Sequence, residues 1–309
     1  MSDQCPVGAA TAMTERPGSG KTGKRRLPKF AQSLLQAKLA LFGLFVLSSF
    51  AFMAIAAPIL APHDPQLIIL KNRLRPPVWT EEGIPGHLLG TDSLGRDILS
   101  RVMYGARISM LVALSAVGIS GTVGVVLGTI AGYYRGAADD VLMRFADIQL
   151  AFPSIVLYIA VMALVGSGLK NIILVLGFSG WVTYGRVVRG QVMSCREQEF
   201  VLAARAVGVR DVRIMARHIF PNTVAPLLII ATTAIAGVII SEASLSFLGL
   251  GVPPDVASWG SMLAEGREYI RSAWWLAMFP GLAIMLTVLG INTFGDWLRD
   301  YLDPRLKSR

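Results

Sequence analysis

Long uncharged runs dominate the chain. Leu39–Leu60 holds 22 residues without a charge, Ile108–Tyr134 holds 27, Ile148–Leu169 holds 22, Thr223–Ser241 holds 19 and Ala273–Gly295 holds 23. A bilayer core of about 30 Å takes about 20 helical residues at 1.5 Å each. Each run also avoids the roughly 2.5–3.5 kcal/mol that an Arg, Lys or Asp costs at mid-bilayer. The pattern predicts five membrane helices. A sixth segment, Asn171–Gly185, gives only 15 residues before Arg186. It reads either as a full span, with Arg186 and Arg189 reaching to the headgroups, or as a buried or re-entrant piece. Parity favours the span, because it returns the Arg-rich segment that follows to the side of the basic N-terminus.

Composition agrees. Of 309 residues, 53% are hydrophobic and 16% charged, with a mean hydropathy of +0.56, so the chain cannot cover a conventional surface with polar groups. These figures exclude an ordinary soluble enzyme, a disordered tail protein and a disulfide scaffold. The expected fold class is an all-α integral membrane protein of six transmembrane helices. Its parts are a tail at 1–37, a first helix with an external segment at 38–107, a transmembrane core at 108–298 with a loop at 186–222, and a second tail at 299–309. Six spans put both tails, Arg135–Asp147 and Arg186–Asn222 on one face, which carries 20 of the 29 Lys and Arg. The positive-inside rule makes that face cytoplasmic, and the +9 charge then needs no nucleic acid. The first span starts too late for a secretory signal. Residues 1–30 read as a disordered cytoplasmic tail.

Candidate chemistry is sparse. Cys5 and Cys195 form no framework, and His63, His87 and His218 are scattered along the sequence, so no metal site is expected. Gly18-Ser19-Gly20-Lys21-Thr22 resembles the end of a P-loop, but Glu15 stands where its first glycine belongs. There is no catalytic triad pattern. The ionisable groups Glu242 and Asp296 fall at helix ends, which argues against an ion-coupled carrier. No stretch is long enough for the soluble domain of a membrane sensor. Gly124, Gly128 and Gly132 recur every four residues and predict a close helix-helix approach.

The most informative segment is Arg196-Glu-Gln-Glu-Phe-Val-Leu-Ala-Ala-Arg-Ala-Val-Gly208, running on to His218-Ile-Phe-Pro-Asn222. Phe200, Ala203, Ala204 and Val207 make one apolar helical stripe. Gly208 suits a left-handed helix end, and Asp211 suits the cap of a second short helix ending near Pro221. The stripe fits a groove on another protein or the membrane surface equally well.

This segment resembles the EAA loop of ABC importer permeases, in which two alanines precede a glycine and a helix-ending proline; Ala203, Ala204, Gly208 and Pro221 stand at those places. Leu202 replaces the motif's glutamate, and His218 and Phe220 replace its later isoleucine and leucine. Three further stretches look like the dipeptide/oligopeptide/nickel permease subfamily. They are His87-Leu-Leu-Gly-Thr-Asp-Ser-Leu-Gly-Arg-Asp97 with Ser100-Arg101 and Gly105-Ala-Arg-Ile-Ser109, Ser246-Phe-Leu-Gly-Leu-Gly-Val-Pro-Pro254, and Gly295-Asp-Trp-Leu-Arg-Asp-Tyr-Leu-Asp-Pro304.

The likeness covers about residues 35–306 and is to the C-type subunit. It implies a type I importer fold, a homologous B-type permease partner, two cytoplasmic ATP-binding subunits and an external solute-binding protein. No cofactor is implied. The Glu199–Gly208 helix would be the coupling helix, with Glu199, Ala203, Ala204, Gly208 and Pro221 its site residues. Peptides are the subfamily's commonest cargo, beside nickel and other small solutes. In the external segments, 61–107 and 242–272, Trp259, Trp274 and Trp275 read as belt aromatics or as docking groups. Asp92, Arg96 and Asp97 read as docking charges or as ties within the loop.

Overall fold

The computed structural model describes residues 29–253 and 255–302. The tail read as disordered, Cys5, the P-loop-like Gly18–Thr22, Pro254 and the Asp303-Pro304 end of the last motif lie outside the described residues. The elements are helices α1 (Lys29–Gln36), α2 (Lys38–Leu60), α3 (Ile98–Tyr134), α4 (Gly136–Leu150), α5 (Ser154–Val165), α6 (Leu169–Ser179), α7 (Trp181–Arg196), α8 (Glu199–Ala206), α9 (Asp211–Ile214), α10 (Phe220–Phe247), α11 (Trp259–Glu268) and α12 (Trp275–Leu302), with a π-helical turn at Met215–Ile219. No strand occurs among the described residues.

Five stretches are long and apolar enough to cross a membrane: Lys38–Leu60, Ile98–Tyr134, Leu169–Arg196, Asp211–Phe247 and Trp275–Leu302. Large apolar side chains point outward along them, as Phe45, Phe52, Ile55 and Ile59 do on α2. That is the arrangement expected where the surroundings are hydrocarbon rather than water.

The glycine row joins α3 to α7, and α6 adjoins it one turn earlier. A Cβ on Gly124 would lie 2.4 Å from the Cβ of Tyr184, one on Gly128 2.4 Å from the carbonyl oxygen of Gly185, and one on Gly132 2.7 Å from that of Arg189. Ser120 Oγ adds a 2.7 Å hydrogen bond to the carbonyl of Gly177. Rising numbers on α3 meet rising numbers on α6 and α7, so the helices run parallel. The chain between them must therefore return across the bundle, and α4 with α5 makes that crossing.

The span read at Asn171–Gly185 is present and longer than expected, whereas the one read at Ile148–Leu169 is broken. Ile148–Leu169 is not one continuous helix, because α4 and α5 meet at 90°. Pro153 stands at the break, without an N–H to continue the helix. The short segment Asn171–Gly185 belongs to the 28-residue stretch Leu169–Arg196. Its arginines do not reach for headgroups. Arg189 forms a two-pronged pair with Asp139 at 2.5 and 2.6 Å, and Arg186 pairs with Asp147. Trp181 Nε1 donates to Gln149 Oε1 at 3.0 Å. Helix α4 thus lies antiparallel along α7, acid to base.

At the chain ends α2 packs antiparallel against α12. Gly43 is pressed on Gly290 and Thr293, and Trp297 Nε1 donates to Ser33 Oγ at 3.3 Å. Both ends of the described chain therefore lie on one face, together with α8 and α9.

Adding a side chain to the α3 seam should destabilise the bundle. Gly128→Val is expected to cost about 1–3 kcal/mol by overpacking and to lower the melting temperature in detergent. Gly118→Ala, where nothing lies within 4 Å, should leave it unchanged. Equal melting temperatures for the two variants would contradict the seam.

Candidate coupling surface

Helix α8 ends as the sequence anticipates. Gly208 has φ +77°, a conformation that costs L side chains about 1–2 kcal/mol. Its N–H donates to the Arg205 carbonyl at 3.0 Å, and the Val209 N–H to that of Ala204 at 3.1 Å. These two bonds make a Schellman motif, and Val209 and Ala204 both pack on the same inner cluster.

The stripe divides by exposure. Val201 is fully buried with Ile214 and Ile219, and Ala204 is half-buried against them. Phe200, Ala203 and Val207 face outward, beside the exposed Leu202 and Val212. Glu199 is exposed in the first turn. One side of α8 is pinned to the bundle and the other presents an apolar surface.

Tyr133, at the end of α3, does the pinning. Its hydroxyl donates to Asp211 Oδ1 at 2.5 Å. The guanidinium of Arg205 stands 5.4 Å from the ring centre and that of Arg196 5.6 Å, both within cation–π range. Arg196 also donates to the Tyr133 carbonyl at 2.6 Å. One side chain therefore touches α7, α8 and α9. Nothing in the sequence pattern marks Tyr133, because it sits in an apolar run.

Two local expectations change. Asp211 caps nothing: it is the first residue of α9, with Arg210 at the cap position, and its carboxylate serves Tyr133. The second helix does not end near Pro221. It passes through the π-helical turn Met215–Ile219 into α10, whose first turn holds Pro221. A missing N–H does little harm in a first turn, and the wide turn just before it absorbs the mismatch.

The opposite end is closed by a buried polar module. Asp92 Oδ1 accepts the N–H groups of Leu94 and Arg96 at 2.8 and 2.9 Å, while Oδ2 accepts Arg96 Nε and Arg101 Nη1, both at 2.6 Å. The second nitrogens of both arginines reach Glu265, at 2.9 and 3.1 Å. Two carboxylates and two guanidiniums thus close a ring between the segment joining α2 to α3, with the first turn of α3, and α11. Burial pushes the Glu265 carboxyl up to about 7, against the pull of Arg96 and with a smaller push from Asp92. Gly95 (φ +77°) lets the Asp92 turn close, since a Cβ there would lie 1.9 Å from the carbonyl of Ile69.

Asp97 caps α3, accepting the N–H and hydroxyl of Ser100 at 2.8 and 2.7 Å. The structure brings together two histidines that the sequence scatters. His87 Nδ1 lies 2.9 Å from Asp97 Oδ1 and His63 Nδ1 4.0 Å from it. Their rings stack 4.6 Å apart and 23° from parallel. Nearly parallel rings do not aim two lone pairs at one point about 2 Å away, as zinc requires; His87 alone hydrogen-bonds the Asp97 carboxylate, and His63 Nδ1 is left buried without a hydrogen-bond partner.

A family model described as binding-protein-dependent transport system inner membrane component matches residues 124–308. A second, the N-terminal TM domain of oligopeptide transport permease C, matches 29–77. The chain belongs to this inner membrane transport family. A di/tripeptide transport system permease protein DppC of Pseudomonas aeruginosa is 44% identical over 282 residues, covering 91% of this chain and 93% of the relative. An oligopeptide transport system permease protein OppC of Bacillus subtilis is 38% identical, covering 93% of each. Among solved structures, an inward-facing MetNI methionine ABC transporter chain shares the fold, with a TM-score of 0.55 and 15% identity over 67% of this chain and 98% of that one.

In this transport component the sequence-predicted residues separate by place. Glu199, Ala203, Ala204 and Gly208 gather on α8, Pro221 stands beyond it at the start of α10, and Gly124, Gly128 and Gly132 line the α3 seam. Asp92, Arg96 and Asp97 are buried ties, not exposed docking charges. Trp259 and Trp275 are not belt aromatics: both are buried and donate to the carbonyls of Val102 and Thr91 at 3.0 and 3.1 Å. Trp274 is left half exposed. The sequence also gave no hint of what Glu242 does. It is buried, accepting hydroxyls from Ser246, Ser258 and Ser109 at 2.9, 3.0 and 3.3 Å, and so ties α10, the start of α11 and α3 together.

Asp92→Asn should break the Asp92–Arg96–Arg101–Glu265 ring, at a cost of about 3–5 kcal/mol for stranding buried charge. Faster proteolysis within residues 61–107 is the expected result, and wild-type resistance would show that the ring is dispensable.

Proposed function

We propose that the chain is the C-type permease subunit of an ATP-driven importer in the bacterial inner membrane. With a homologous B-type permease it forms the path for dipeptides and oligopeptides delivered by an external solute-binding protein. Two cytoplasmic ATP-binding subunits hydrolyse ATP; this subunit lowers no chemical barrier itself. The naming of relatives at 38–44% identity for peptide transport supports the cargo. The distribution of Lys and Arg supports placing the α8 face and both tails in the cytoplasm.

The observation that carries the proposal is α8, with an apolar face open to a partner and its opposite face pinned through Tyr133 to α3, α7 and α9. A groove on an ATP-binding subunit would seat Phe200, Ala203 and Val207. Movement of that groove would reach the membrane helices through Tyr133 and the Schellman turn, a two-state element biased from one site and read at another.

In proteoliposomes holding the complete transporter, Gly208→Asp should insert normally, hydrolyse ATP and import labelled dipeptide at least tenfold more slowly. Tyr133→Phe removes one hydrogen bond to a carboxylate, worth about 1.5–3 kcal/mol, and should lower the uptake obtained per ATP. Normal uptake by Gly208→Asp would sink the coupling assignment. Nickel uptake without dipeptide uptake by the wild type would move the cargo while leaving the machine. Uptake that outlasts ATP but fails with the ion gradient would replace both.

A further inference from the structure

A groove runs between α3 and α10, and its walls enclose two cavities in line. The outer cavity, about 350 Å³, lies beside Val117 and Ser120 and the stretch of α10 from Ile230 to Ser241. The inner cavity, about 440 Å³, lies beside Gly118 to Val126 and the stretch from Phe220 to Ala231. Val117 and Tyr184 belong to the walls of both. From Phe220 to Ser241 an α-helix rises about 31 Å, close to the thickness of a hydrocarbon core.

The two cavities differ in chemistry. The inner one is almost wholly apolar, whereas Ser154, Tyr158, Thr183, Thr233 and Ser241 bring hydroxyls to the outer one. Thr233, Gly237 and Ser241 recur every four residues on one side of α10. That helix belongs to the least covered of the five spans, with only 17% of its most apolar window buried. Tyr184 supplies a second, independent observation. It is 3% exposed, and its buried hydroxyl has no partner, an unfavourable arrangement unless something fills it. Its ring lies against Gly121, 3.8 Å from where a Cβ would stand, so no side chain on α3 blocks it there.

We propose that this groove is the chain's half of the translocation path, that the outer hydroxyls hold the main-chain amides of an extended peptide, and that Tyr184 is the constriction between the cavities. No charged side chain lines either cavity, so neither a peptide's side-chain charges nor a metal ion finds a partner in them. Thr233 and Ser241 already donate to the carbonyls of Ile230 and Gly237 at 3.0 and 2.8 Å, so their oxygens are left to accept a peptide's N–H, and the unpartnered Tyr184 hydroxyl can donate to its C=O. The inference rests on the peptide reading above.

The test uses the complete transporter in proteoliposomes, with labelled dialanine and its binding protein as probe. Gly237→Leu, at a position with nothing within 4 Å, should lower uptake per ATP hydrolysed at least tenfold, and Tyr184→Phe about three- to tenfold. Gly190→Leu, equally open and outside the groove, should change nothing. With Cys5 and Cys195 replaced by serine, Thr233→Cys should react with a membrane-impermeant thiol reagent, more slowly when dialanine and the binding protein are present. Wild-type coupling in both groove variants with an unreactive Thr233→Cys would overturn the path in a transporter that imports dialanine normally. A wild type that imports no peptide overturns the cargo reading and the amide contacts together. The path is then kept or lost on the labelling of Thr233→Cys alone.

Discussion

The backbone contact between α3 and the α6–α7 pair sets the rest of the architecture. Gly124, Gly128 and Gly132 let the helices meet at a separation that no side chain would permit. In lipid, where apolar burial drives little, such an approach supplies packing that larger residues cannot. Its parallel sense has a topological result: the chain must return across the bundle between the two helices. The broken crossing by α4 and α5, the position of α10 beside α3 and the placement of both chain ends on one face follow from that return.

Much of this was legible in the sequence, and the errors have one cause. Apolar run length located the crossings by α2, α3, α10 and α12, because burying a charge in lipid is costly. The same rule misjudged the middle of the chain, where charges occur in facing pairs. Asp139 and Asp147 looked like a polar loop, and Arg186 and Arg189 looked like the end of a span, yet each neutralises another across the α4–α7 contact. A one-dimensional reading prices each charge alone, whereas the folded chain prices the pair. Run length alone also passed over Pro153, where the helix breaks and turns by 90°.

The site residues show the same division. Gly208 was legible because a left-handed turn leaves a local signature, and the stripe on α8 because its period is local. Tyr133, Glu242 and the partners of Asp92 were not, since their roles come from contacts 78, 133 and up to 169 residues away in sequence. At Asp211 and Pro221 the local rules were overridden, by a tyrosine hydroxyl and by a helix that continues through a π turn.

The ring of Asp92, Arg96, Arg101 and Glu265 also bears on how the protein is made. Synthesis delivers three of its members about 160 residues before Glu265, so Asp92 must face two guanidiniums until the hairpin holding α11 has formed. Until then Asp92 alone faces the two guanidiniums, and the cluster carries a net positive charge. Closure of the ring is thus a late event that depends on the penultimate crossing being in place. A chain arrested before α11 would lack the carboxylate that completes the ring.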